Sequence, residues 1–134
     1  MAHLHSFRFL ALAILALALA SSPDGRAATP ADLLAGYSSR AGASAVAARG
    51  QQFFTSTHGR EWSCGSCHGA APVGTGKHAV TGKAIKPLSP AANPERLTDA
   101  AKIEKWLERN CKWTLGRPCT PQEKGDVLVM IRSK

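Results

Sequence analysis

The stretch CGSCH, Cys64 to His68, constrains this chain more than any other. Its two cysteines are three positions apart, which sets both thiols on one side of a single helical turn, and a histidine follows at once. A Cys-x-x-Cys pair of the thioredoxin kind belongs to a βαβ unit, and no such alternation surrounds this one. Half of a zinc site needs a second close pair of Cys or His at ligand spacing, which Cys111 and Cys119 do not provide. The remaining chemistry is covalent haem attachment. Two thiols at this spacing add to the two vinyl groups of one haem edge, and the adjacent histidine meets the iron from its proximal side. On this reading Cys64 and Cys67 attach one haem c, and His68 is an axial ligand.

The N-terminus agrees. Met1 to Arg8 is a short basic segment, and FRFLALAILALALA then gives an apolar run too short to span a bilayer comfortably. Small residues follow, with cleavage expected after Ala20 or near Ala27. Residues 1–27 therefore read as a secretory signal peptide and residues 28–134 as the mature domain, exported to the periplasm with no stable membrane insertion. About 110 residues remain, enough for one domain and not two. All four cysteines lie in that part, where an oxidising compartment permits disulfides. The formal net charge of the whole chain is +8. Export argues against nucleic acid as the reason, and a basic face for acidic redox partners is the better use of it.

Helical punctuation dominates the rest. PADLLAGYSSRAG and SAVAARGQQFFTST predict two helices ending near Gly42 and Gly59, the second with Val46, Phe53 and Phe54 on an apolar face. Residues 69–97, rich in Gly, Pro and Lys, predict a loop along the haem edge. Thr98 or Asp99 can cap a following helix. The last helix opens on TPQE, with Thr120 as N-cap, Pro121 at N1 and Glu123 completing a capping box. The fold class is all-α, a small class I-like cytochrome c arrangement around one haem. The chain's own apolar core is thin, so the cofactor is expected to be part of it.

What occupies the iron's other axial side decides function. No methionine follows the haem motif until Met130, which sits in the apolar run VLVMI and reads as core. His58 precedes Gly59 at a helix end, where a cationic ring suits the helix dipole. His78 lies in the basic loop GTGKHAV and is the better placed of the two to bind iron. Asn110 is the unusual candidate. In IEKWLERNCKW, Ile103, Trp106 and Leu107 share one apolar stripe, and Asn110 is its next position, beside Cys111. An asparagine near a helix C-terminus is commonly part of the cap. The stripe, the flanking Trp106 and Trp113, and the adjacent cysteine fit a ligand as well. The tryptophans, Trp62 included, read by default as apolar area around a large cofactor.

TGKAIKPLSPAANPERLTDAAKIEKWLERNCKWTLGRPCTPQEKGD resembles the oxygen-binding cytochromes c typified by the sphaeroides haem protein. The most specific parts are RNC…GRPCT and NPERLTD, taken with the haem motif, and the likeness runs from about Asp32 to the C-terminus. In the related cytochrome c″ a histidine stands in place of the asparagine. The resemblance implies that Asn110 ligates the ferric iron and leaves on reduction, and that Cys111 and Cys119 form a disulfide. It implies ferrous binding of O2, NO or CO, and electrons supplied by a dihaem cytochrome c or a membrane b-type cytochrome. A basic surface including Lys102, Lys105 and Lys112 suits such a partner.

A neutral amide is a weak ligand, displaced by a small change in iron charge, so a redox-gated site follows from the residue type. The rival reading is a closed-site electron carrier with His78 or Met130 as sixth ligand. Enzymatic chemistry such as conversion of NO with bound O2 to nitrate is permitted, but no acid–base constellation indicates it.

Overall fold

The computed structural model describes residues 27–134; the segment read from the sequence as a signal peptide, apart from Ala27, lies outside the described residues. Helix α1 (Pro30–Ala41) begins on a reciprocal cap: Thr29 Oγ1 accepts the Asp32 N–H at 3.1 Å, and the Asp32 carboxylate accepts the Thr29 N–H at 2.8 Å. It stops at Gly42, whose φ of 66° suits a residue without Cβ. Tyr37 on this helix is fully buried, and its hydroxyl donates to Glu104, which also pairs with Lys124. One carboxylate thus joins three segments.

Helix α2 (Ala47–Thr55) is shorter than the sequence predicts at both ends. The Val46 N–H donates to Asp126 Oδ1 at 2.6 Å, which holds Val46 extended as the N-cap and leaves its side chain exposed rather than on the apolar face. At the other end Ser56 is extended, and the His58 N–H donates to Ser56 Oγ at 3.1 Å. His58 and Gly59 then take left-handed φ values of 53° and 74° and turn the chain.

The short helix α3 (Cys64–His68) is the haem motif itself. The stretch from 69 to 97 is not wholly irregular. It holds a small antiparallel ribbon, β1 (Gly76–Lys77) and β2 (Ala84–Ile85), with Gly76 opposite Ile85 and Lys77 opposite Ala84. Helix α4 (Ala100–Leu115) is capped by Asp99, which accepts the Lys102 N–H at 3.0 Å, and ends at Gly116 with φ 73°. Helix α5 (Pro121–Arg132) opens on the Thr120–Glu123 capping box read from the sequence. The described residues are mostly helical, with five helices and one two-stranded ribbon. No helix among them is long and apolar enough to cross a membrane.

The main packing is α2 on α5. Gly50 permits it, because a Cβ there would overlap the Asp126 carbonyl. Asp126 is 3 % exposed and accepts from Val46 N, Arg49 Nε at 2.6 Å, Arg49 Nη2 at 2.8 Å and Gln122 Nε2 at 2.9 Å. Burial alone would raise its pKa, but these bonds, Arg49 foremost, outweigh that and hold the carboxyl below its ordinary value. Around this junction Phe54, Val127, Met130 and Ile131 form one buried cluster, and Tyr37, Ile103 and Leu128 a second. Leu97 and Leu107 touch both.

Two outcomes follow for the haem-loaded protein in denaturant melts. Gly50→Ala should cost about 2–3 kcal/mol, because backbone rather than a flexible side chain must move. Asp126→Asn should remove an acid-sensitive part of stability. With the folded pKa below the unfolded value near 3.8, the Asp126 contribution is complete above that pH. It fades as pH falls toward the folded value, so the wild type should lose its advantage over the variant in acid.

Candidate functional site

Ser63 prepares the haem motif. Its side chain accepts the Ser66 N–H at 3.0 Å, while Ser66 Oγ accepts the Ser63 N–H at 3.0 Å, a reciprocal cap that shapes the five residues into one helical turn. The turn is gripped from two sides. Gly65 lies under the Phe54 carbonyl, and a Cβ on Gly76 of β1 would collide with the Cys67 carbonyl. The Ala79 N–H also points at Cys67 Sγ, at 3.3 Å. Both cysteines of the turn are free thiols, Cys67 buried and Cys64 half-buried. Burial pushes the Cys64 thiol up to about 11, so it is held protonated. His68 packs near Phe54 with ring centroids 6.2 Å apart. Burial first, then the charge of Arg96, lowers its pKa, which favours the unprotonated ring with a lone pair for a metal.

A cavity of about 970 Å³ opens above this turn. Cys64, Cys67 and His68 line one wall, and Trp106, Asn110 and Trp113 of α4 another. Its size is at the upper end for ligand pockets, which run to about 1,000 Å³. A large, flat, mainly apolar cofactor fits such a space. Paired thiols and an adjacent imidazole are the donor set of a c-type haem. Cys64 and Cys67 are the residues that could attach it, and His68 the one that could bind its iron.

Asn110 is inside α4, not at its end. The helix runs on to Leu115, and Gly116 donates its N–H to the Lys112 carbonyl at 3.0 Å as the cap. The Asn110 carbonyl accepts the Thr114 hydroxyl at 2.7 Å, while its side-chain amide has no hydrogen-bond partner among the described residues. Capping therefore does not account for it. The neighbouring Cys111 is buried, and its sulfur is at bonding distance from that of Cys119, with Cα atoms 5.5 Å apart. This link joins the last turns of α4 to the residue preceding the Thr120 cap of α5.

The other candidates separate. Met130 is 1 % exposed in the core cluster with Phe54 and does not reach the cavity wall. His58 is engaged in its own turn, with Nε2 2.9 Å from the Phe53 carbonyl. His78 does line the cavity, with its ring 5.7 Å from that of Trp113. Its Nδ1 accepts the N–H groups of Val80 and Thr81, both at 3.2 Å. An accepting Nδ1 leaves the ring proton on Nε2, which then has no lone pair for iron. Lys102, Lys105 and Lys112 are all exposed, but Lys112 is ion-paired with Glu108 at 2.7 Å. Arg109 lies over the Trp106 ring at 5.3 Å.

Sequence reasoning missed Ser63, Gly76 and Arg96. The Ser-x-x-Ser spacing around the first cysteine was a readable capping signal for Ser63. Nothing local marks the other two. Arg96 donates to the Pro87 carbonyl at 2.9 Å and the Lys86 carbonyl at 3.1 Å, holding the segment that leads to the cavity. Those are contacts across a loop, invisible to periodicity.

Residues 40–131 match the family described as a domain of unknown function, DUF1924. The cytochrome c-type protein SHP of Cereibacter sphaeroides is 46% identical over 131 residues, 95% of this chain and 98% of that protein. The fold matches the structure of oxidised SHP, an oxygen-binding cytochrome c, with a TM-score of 0.74 and 46% identity, covering 81% of this chain and all of that one. It also matches the solution structure of Methylophilus methylotrophus cytochrome c″, a study of haem-ligand detachment, with a TM-score of 0.67 and 31% identity over 78% of this chain and 93% of that one.

Replacing Cys111 and Cys119 together by serine should lower the stability of the haem-loaded protein by about 2–3 kcal/mol, the chain-entropy value for so short a loop. A denaturant melt under non-reducing conditions reads it, and reductant should bring the wild type to the level of the double variant.

Proposed function

This chain belongs to the family of c-type cytochromes that includes SHP, and from that premise we propose that it is a periplasmic monohaem cytochrome with a redox-gated ligand site. Haem, when bound, supplies an iron that changes oxidation state and takes a diatomic gas in its ferrous form. Cys64 and Cys67 hold the cofactor covalently, and their placement on one rigid turn fixes where its edge lies. His68, kept unprotonated by burial, would hold the iron firmly. Asn110 would hold it weakly.

The observation that carries this reading is the Asn110 amide, on the cavity wall and without a protein hydrogen bond, in a helix whose end is capped by another residue. Asn110 is exposed on that wall, so its amide is tied to no protein group and is free to meet whatever occupies the cavity. An amide carries no charge and donates weakly, so Asn110 would hold a haem iron loosely and could yield it on reduction, where an imidazole would stay. Cys111, bridged to Cys119, limits how far the helix segment bearing Asn110 can recoil, so the ligand can return on reoxidation. The exposed Lys102, which lines the cavity, and the exposed Lys105 on the same helix suit an acidic electron-donating partner such as a dihaem cytochrome c or a membrane b-type cytochrome.

Optical spectra of the haem-loaded protein, ferric and ferrous, with and without CO, test this beside Asn110→Ala. The expected result is a ferric spectrum that changes in the variant, and ferrous forms of both proteins that are high-spin and bind CO at once. Spectra that stay low-spin in both oxidation states, refuse CO and ignore the substitution would make this a closed electron carrier instead.

A further inference from the structure

His78 makes the turn between the two ribbon strands. Its N–H donates to the Lys83 carbonyl at 2.8 Å, and its carbonyl accepts the Gly82 N–H at 2.9 Å. Inside that closed turn the side chain is fixed as well, by the N–H groups of Val80 and Thr81 on Nδ1 and by the Trp113 ring beside it. The ring is thus committed to one tautomer and one place. Its remaining polar atom, Nε2–H, is a donor with no acceptor among the described residues, on a side chain that forms part of the cavity wall. Trp113 follows Asn110 by three positions on α4, a spacing that sets Cβ atoms about 5–6 Å apart on one helix face. His78 therefore stands beside the wall that carries Asn110.

We propose that His78 is a specificity-determining residue of this cavity: its fixed Nε2–H donates a hydrogen bond to a bound diatomic that gathers negative charge, selecting dioxygen over carbon monoxide. The inference rests on the gas-binding reading above and names what that site prefers. Dioxygen bound to a reduced metal draws electron density onto its outer atom and accepts a hydrogen bond well. Carbon monoxide gathers little and gains little. In an apolar cavity such a bond is worth more than in water, and a donor already immobilised by its own turn loses no further freedom in making it.

The experiment uses the haem-loaded full-length exported protein and measures dissociation of dioxygen and of carbon monoxide from the ferrous form by stopped flow. His78→Asn is the informative variant. The asparagine Oδ1 can stand where Nδ1 stands and accept the same turn N–H groups, while no donor reaches the place of Nε2. Dioxygen should leave roughly five- to ten-fold faster, the loss of one hydrogen bond, with carbon monoxide release changed by less than about twofold. His78→Phe, which keeps a ring against Trp113, should do the same. Unchanged dioxygen release in both variants, with normal carbon monoxide binding, overturns the role of His78 and leaves the gas-binding reading intact. A wild-type ferrous protein that takes up no carbon monoxide overturns that reading and this inference together. A measurement free of variants backs these: the vibrational band of bound dioxygen in the wild type should shift between H2O and D2O, and an unmoved band contradicts the hydrogen bond.

Discussion

The buried carboxylate of Asp126 is the point from which the rest of the molecule takes its positions. It starts α2 by accepting the Val46 N–H, draws in Arg49, and sits where Gly50 lets the backbones of α2 and α5 touch. With α2 fixed, Phe54 and its carbonyl form the bed for α3. The Ser63 cap and the Gly76 approach then lock the Cys64–His68 turn between α2 and the ribbon. A thin apolar core could not by itself hold a five-residue helix in one orientation. Polar anchors with few degrees of freedom do it instead, and the face they leave uncovered is the cavity.

The cavity has two unlike walls. The α3 wall is short, capped at both ends and pressed from outside, so the thiols and imidazole on it have little freedom. The α4 wall is a long helix held in its second turn by Glu104, through Tyr37 and Lys124, and near its end by the Cys111–Cys119 link. Between those two anchors lies Asn110. On the proposed reading this asymmetry is the mechanism: a permanent ligand on the rigid wall and a releasable one on a segment restrained at either side but not at the amide itself.

The sequence announces this site more clearly than it announces the fold that holds it. CGSCH is legible because its chemistry demands adjacent residues, and the TPQE start of α5 because capping is local. Asn110 stood out as a break in an apolar stripe, and that stripe does line the cavity, with Ile103 buried and Leu107 half-buried but Trp106 left 43 % exposed. What the sequence could not show was where α4 ends. A cap at Asn110 and a helix running on to Gly116 look alike until the glycine's left-handed backbone is seen. The boundaries of α2 were missed because Asp126, eighty residues away in sequence, takes over the N-cap of that helix. His78 read as a basic-loop histidine able to bind iron, since its two turn bonds depend on a ribbon of only two residues per strand, too short to leave an alternating pattern.

The most direct measurement is a crystal structure of the ferric, haem-loaded protein, read at the side of the iron opposite His68. The account predicts an atom of the Asn110 amide at bonding distance there, with His78 set back in its turn and Met130 still in the core. A water molecule, or the His78 ring released from Val80 and Thr81, on the iron with Asn110 turned away would contradict it.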